Sequence, residues 1–86
     1  MNIIKRTIEK PNPSFEELIL CFEEIRTNGD VAVIKFDGER DKDEYTVFVS
    51  FPRNKREMIR VDGSDLKGTL KKILAEYIEE NSRAAT

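Results

Sequence analysis

The chain has 86 residues, with 15 lysines and arginines against 17 aspartates and glutamates, so its net charge is −2. This length suffices for one small domain over residues 1–86 with a modest core. One cysteine and no histidine exclude an internal disulfide, histidine-based metal sites and histidine-dependent catalytic triads. No apolar run has the length of a signal peptide or a bilayer-spanning helix, which predicts a cytoplasmic protein without a membrane partner.

The N-terminal residues 3–9 have a weakly extended character, and the prolines at 11 and 13 then interrupt the chain. We expect residues 1–13 to form either an additional strand with a linker or a linker alone. Ser14 and Glu17 are spaced as a capping box, which predicts the start of a helix.

An apolar stripe follows at helical spacing and predicts the face that this first helix buries. Its members are Phe15, Leu18, Ile19, Phe22 and Ile25. Gly29, after Asn28, is typical of the position just beyond a helix C-terminus.

Three β-branched or alternating segments predict strands at 31–36, 44–51 and 57–61. Their short connections favour an antiparallel meander, because parallel pairing requires long crossovers. A second amphipathic helix is predicted from Leu66 to about Asn81, followed by a frayed tail at residues 82–86.

These elements predict an α+β fold: an antiparallel sheet with two helices on one face, three-stranded or, with the N-terminal segment, four-stranded. The order is α-β-β-β-α, or β-α-β-β-β-α if the N-terminal segment joins the sheet. The predicted core contains Phe15, Phe22, Ile34, Val47, Val49, Leu70 and Tyr77.

No group of residues predicts catalysis. Cys21 is placed in mid-helix without an activating histidine, so a structural role is expected. The acidic loop 37–44 lacks the ligand order of an EF-hand, and Arg40 and Lys42 would repel a bound cation. We therefore predict no enzyme activity, no catalytic residue, no metal site and no cofactor.

Two surfaces are candidates for binding. Successive side chains of a strand point to opposite faces of the sheet, so Thr46, Ser50 and the residues of a candidate binding face are predicted to point away from the helices. That face comprises Val33, Lys35, Phe48, Met58 and Arg60. The second candidate is a basic patch comprising Arg53, Lys55, Arg56, Lys67, Lys71 and Lys72.

A short stretch resembles an RNA-binding family. Its residues are Glu17, Leu18, Phe22, Arg26, Thr27, Gly29 and Val31. They resemble the first helix and following strand of a small Alu-domain subunit of the signal recognition particle, a family with α-β-β-β-α order that binds RNA on its sheet face. Double-stranded RNA-binding domains share this topology. The net charge of −2 departs from the first family, and the histidine-bearing loop of the second is missing.

The function predicted from the sequence is a non-catalytic interaction domain. It would bind a protein partner, as an adaptor, inhibitor or immunity-type protein, or self-associate, through the open sheet face. The alternative is an RNA- or single-stranded nucleic-acid-binding module. In that module a base would stack on Phe48, and the basic segment 53–72 would contact the phosphates of the nucleic acid.

Overall fold

The structure is a computed structural model that describes residues 2–53 and 56–84, with side chains over 3–53 and 56–82. The elements in chain order are α1 (Asn2–Ile8), α2 (Phe15–Thr27), β1 (Val31–Phe36), β2 (Tyr45–Phe51), β3 (Arg56–Gly63) and α3 (Leu66–Ala84). Among these residues, no helix combines the length and apolar character required to cross a bilayer.

The three strands form one antiparallel sheet in the order β1-β2-β3. Helix α2 packs on β1, and α3 packs on β2 and β3, so the two helices cover the same face. The predicted α-β-β-β-α order is confirmed. Helix α3 continues to Ala84 rather than ending near Asn81, and residues 85–86 of the predicted tail lie outside the described residues.

The extra N-terminal strand is a wrong prediction, because this segment forms α1. Helix α1 packs on α2 and α3, on the side of these helices away from the sheet. Ile4 is fully buried there and Thr7 is nearly so. The β-branched residues of α1 have low helix propensity, but the burial of their side chains against α2 and α3 outweighs this preference. The N-terminal segment therefore leaves the second face of the sheet uncovered.

The predicted capping box starts α2. The Glu17 amide donates to Ser14 Oγ at 3.1 Å, and the Ser14 amide donates to Glu17 Oε1 at 2.9 Å. Lys10 also donates to the Glu17 carboxylate, and this bond is the largest of the causes that lower the pKa of Glu17 to about 2. Gly29, at φ +88°, then turns the chain in a conformation that favours glycine.

The buried stripe of α2 is rotated from the predicted one. Leu18, Cys21 and Ile25 are fully buried, whereas Phe15 and Ile19 are 46% and 47% exposed. The prediction of Phe15 in the core is therefore wrong. Helix α2 contacts α1 as well as the sheet, and the side of α2 that carries Cys21 is therefore buried. Phe15 instead lies beneath Lys67, whose Nζ is 4.9 Å from the ring centroid.

The core between sheet and helices contains the predicted Val47, Val49, Leu70 and Tyr77. The rings of Tyr77 and Phe51 stack with centroids 5.9 Å apart. Phe22 and Ile34, also predicted as core, are partly buried and pack against its margin. The helix-covered face of the sheet is thus fixed by period-two alternation, as the sequence predicts.

Candidate interaction face

The sheet surface opposite the helices, which we call the open face, is built from aligned rows of side chains. The register places Val33 of β1 opposite Phe48 of β2, and Phe48 opposite Arg60 of β3. These residues alternate with Val47, Val49 and Val61, which are buried beneath the helices. The open face is therefore the consequence of the same alternation that forms the core.

One end of the open face is apolar. Val31 is 47% exposed, Val33 is 37% exposed, and Phe48 lies half-buried beside them. Met58 is 52% exposed at an irregularity where β3 advances three residues while β2 advances two. These side chains form an exposed patch on a sheet surface that no described helix covers.

The other end of the open face is ionic, and Asp62 lies at its centre. The Asp62 carboxylate accepts hydrogen bonds from Thr46 Oγ1, from Arg60 at 3.3 Å and from Arg40 at 3.4 Å. The Thr46 bond is the largest cause that lowers the pKa of Asp62 to about 2. Thr46 faces this side as predicted, and it is buried within the cluster.

Asp37 extends this ionic cluster to the edge of the sheet. Its carboxylate lies 3.6 Å from Lys35 Nζ and 3.3 Å from Arg40 Nε. The Glu39 amide also donates to Asp37, and this bond is the first cause of its lowered pKa. Both cations of the predicted binding face, Lys35 and Arg60, are thus adjacent to carboxylates.

Arg40 and Asp62 are parts of this surface that the sequence does not predict. Arg40 lies in the acidic loop 37–44, and the strand predicted over 57–61 ends one residue before Asp62. The position of Arg40 depends on how loop 37–44 folds, including the φ of +54° at Asp43, and no periodic pattern encodes that path. Strand β3 continues through Asp62 to Gly63. Because Asp62 lies two residues after Arg60, a predicted strand that included residue 62 would have placed both side chains on the open face.

The residues of the predicted basic patch lie in different places. The Arg53 guanidinium lies beside Gly29, at the end of α2. Arg56 stacks on Phe51 with its Cζ 4.4 Å from the ring centroid, and it donates to the Glu80 carbonyl at 3.1 Å.

The lysines of that patch lie in the first half of α3. From Lys67 to Glu80 the helix rises about 20 Å, so Arg56 is remote from Lys67. Lys71 and Lys72 accompany Lys67 in the early turns. Lys55 lies outside the described residues.

Cys21 has the surroundings of a structural cysteine. It is fully buried, and its thiol donates to the Glu17 carbonyl at 3.4 Å. Burial raises the pKa of this thiol, which disfavours the nucleophilic thiolate. In the part of the chain that the structure describes, no group of three or more acidic or cysteine side chains is placed to hold a metal ion.

Comparison of the chain with protein-family models, curated proteins and solved structures finds no significant match.

Proposed function

We propose that this chain is a non-catalytic interaction domain that binds a protein partner through the open face of its sheet. The observation that carries the proposal is the exposed apolar end of that face, formed by Val31, Val33, Phe48 and Met58 and left uncovered by α1. In this role the domain acts as an adaptor or as an inhibitor of the immunity type.

The composition of the open face supports a protein partner. Phe48 and Arg60 are direct cross-strand neighbours, and aromatic residues and arginines are enriched among interface residues whose truncation weakens binding most. The ionic cluster around Asp62 borders the apolar end, as the polar rim of a protein interface does.

The charge distribution gives less support to nucleic-acid binding, the alternative predicted from the sequence. Affinity for nucleic acid depends on cations that neutralise phosphates. On the open face, each of the cations Lys35, Arg40 and Arg60 already pairs with the carboxylate of Asp37 or Asp62.

The proposal is tested by affinity capture from the native cell extract, with and without nuclease. The variant combines Phe48→Ala with Arg60→Glu. The matched control combines Phe15→Ala with Lys67→Glu, because that pair is another solvent-accessible aromatic with a neighbouring cation, on the helical side. Circular dichroism and thermal unfolding establish that both variants are folded.

We expect a protein that resists nuclease treatment, is captured by the control variant, and is lost with the open-face variant. Capture that disappears after nuclease and weakens steeply with added salt would favour the nucleic-acid alternative. Equal capture by both variants would place the binding site away from the open face.

A further inference from the structure

The outer edge of β1 carries main-chain groups directed away from the sheet. The Asp37 amide donates to the Glu44 carbonyl at 2.8 Å, so these two residues occupy a hydrogen-bonded position at the end of the β1–β2 ladder. Hydrogen-bonded and non-hydrogen-bonded pairs alternate along an antiparallel ladder. The amide and carbonyl groups of Ala32, Ile34 and Phe36 therefore point outward, away from β2.

The two edges of the sheet differ in how well they resist pairing with another strand. The β3 edge contains the irregularity near Met58 and exposes charged Glu57 and Arg60. Strand β1 pairs with β2 in unbroken register over its whole length, and Lys35 is its one charged residue. Charges and bulges are the usual protection of sheet edges against association. The β1 edge has much less of this protection.

An apolar groove of about 400 Å³ lies alongside the first half of β1, between this strand and α2. Its apolar wall includes Ile19, Phe22 and Ala32, and the Glu23–Arg26 ion pair borders it. Phe36, at the other end of β1, is 67% exposed on the same helix-covered side of the sheet. One strand therefore carries a groove at one end and a large protruding ring at the other.

We propose that two copies of this chain associate by antiparallel pairing of their β1 edges, around a twofold axis at Ile34. In this register Ile34 pairs with Ile34 of the second copy, and Phe36 pairs with Ala32. Each outward-directed residue thus joins a hydrogen-bonded pair. The same register brings the Phe36 ring of each copy to the groove beside Ala32 of the other.

Neighbouring registers are less favourable. A shift by two residues in one direction places Lys35 directly opposite Lys35 of the second copy, and like charges in that position are destabilising. The opposite shift pairs Phe36 with Asp30. The Asp30 amide already donates to the Ile25 carbonyl, so it is engaged within its own chain.

The pairing extends the open face across both copies. Val33 lies opposite Lys35 of the second copy, so the aliphatic part of the lysine covers the valine while its ammonium group stays in water. The result is a continuous six-stranded sheet with two copies of the open face. This association does not rest on the proposed partner binding, because it uses the edge of the sheet rather than its face.

The first test measures the dimer dissociation constant of the purified chain by sedimentation over a range of concentrations. Phe36→Lys should weaken association about thirty-fold or more, as loss of a central interface anchor does. Met58→Lys is the matched control, because it adds the same charge at another exposed apolar residue, on the β3 edge. It should leave the dissociation constant unchanged.

The second test determines the register by cysteine cross-linking. In the proposed dimer, residue 33 of one copy faces residue 35 of the other in a non-hydrogen-bonded pair, where the Cα atoms are about 4.5 Å apart. The double variant Val33→Cys/Lys35→Cys should form a covalent dimer under mild oxidation. Either single variant places identical cysteines roughly 8 Å apart and should remain uncrosslinked.

A third measurement uses the unmodified chain. Amide hydrogen exchange at residues 32, 34 and 36 should slow as the protein concentration rises. A chain that stays monomeric at all concentrations, with these amides exchanging freely, would overturn the proposal. Association that survives Phe36→Lys and is lost in Met58→Lys would also overturn it, and would place self-association on the open face instead.

Discussion

The Tyr77 hydroxyl donates a hydrogen bond of 2.7 Å to the Asp30 carboxylate, which links α3 to the residue that precedes β1. The Asn28 side-chain amide donates to the same hydroxyl at 3.0 Å. Tyr77 is fully buried, and burial is the main reason that its pKa is raised to about 12. These bonds hold the α2–β1 turn against the core, and they therefore position the β1 edge and the groove beside it.

Replacing Tyr77 by phenylalanine should lower the free energy of unfolding by about 1–3 kcal/mol, because the buried Asp30 loses a hydrogen-bond donor. Urea unfolding followed by circular dichroism measures the change. Tyr45→Phe, which removes a hydroxyl from the half-buried tyrosine of β2, is the control and should change stability by about half a kcal/mol or less. Equal effects of the two substitutions would contradict the structural role of the Tyr77 bond.

The rotated stripe of α2 is tested at two adjacent residues. Leu18→Ala should reduce the free energy of unfolding by about 2–5 kcal/mol, because it leaves a cavity in the core. Ile19→Ala, at a residue that is half exposed, should cost about half a kcal/mol or less. The measurement is the urea midpoint of each variant. A larger loss of stability in Ile19→Ala than in Leu18→Ala would contradict the rotated stripe.

The sequence predicts the sheet well because successive side chains of each strand alternate between the face that the helices bury and the open face. Val47 and Val49 are both fully buried, while Phe48 between them faces the open side. Period-two patterning encodes this without reference to any other element. The same reasoning places Val33, Phe48 and Arg60 on one face, but it does not predict that the Asp62 carboxylate pairs there with Arg40 and Arg60.

The sequence predicts the N-terminal segment and the α2 stripe poorly because both depend on a tertiary contact. Ile4 and Ile8 have helical spacing, but seven residues rich in β-branched side chains form too short a pattern to outweigh their extended preference. Without α1 in place, the Cys21 side of α2 has no neighbour to bury it. Both errors therefore have one physical cause.

Two glycines are expected to respond oppositely to alanine substitution. A Cβ at Gly63 would lie 2.2 Å from Thr69 Oγ1, and that hydroxyl donates to the Asp65 carbonyl at 2.7 Å. Gly63→Ala should therefore destabilise the domain by about 1–3 kcal/mol through overpacking. Gly38→Ala meets no atom within 4 Å and should be neutral or stabilising by up to about 1 kcal/mol.

The stabilities of these variants are compared by thermal unfolding. A double variant then identifies the cause of the destabilisation by Gly63→Ala. Combining Gly63→Ala with Thr69→Ala removes the clashing hydroxyl, so the pair should be less destabilising than the sum of the single substitutions. Strict additivity would show that Gly63 is required for a reason other than the Thr69 contact.

The ionic cluster of the open face should make stability depend on pH in the acidic range. The pKa of Asp62 is about 2 in the folded chain, below its ordinary value of 3.8. The unfolded chain therefore takes up this proton at a higher pH than the folded chain does. The contribution of Asp62 to stability is present above about pH 4 and is lost as the pH falls towards 2.

Asp62→Asn should flatten the decline of the urea midpoint between pH 4 and 2, because the variant lacks the titrating carboxyl group. Asp41→Asn, which neutralises an exposed carboxyl of the neighbouring loop, is the control for net charge. Thr46→Val tests the cause, because it removes the main hydrogen bond that lowers the Asp62 pKa. Carboxyl NMR titration of that variant should show the Asp62 pKa moving up towards 3.8. An unchanged Asp62 pKa in Thr46→Val would contradict this account of the cluster.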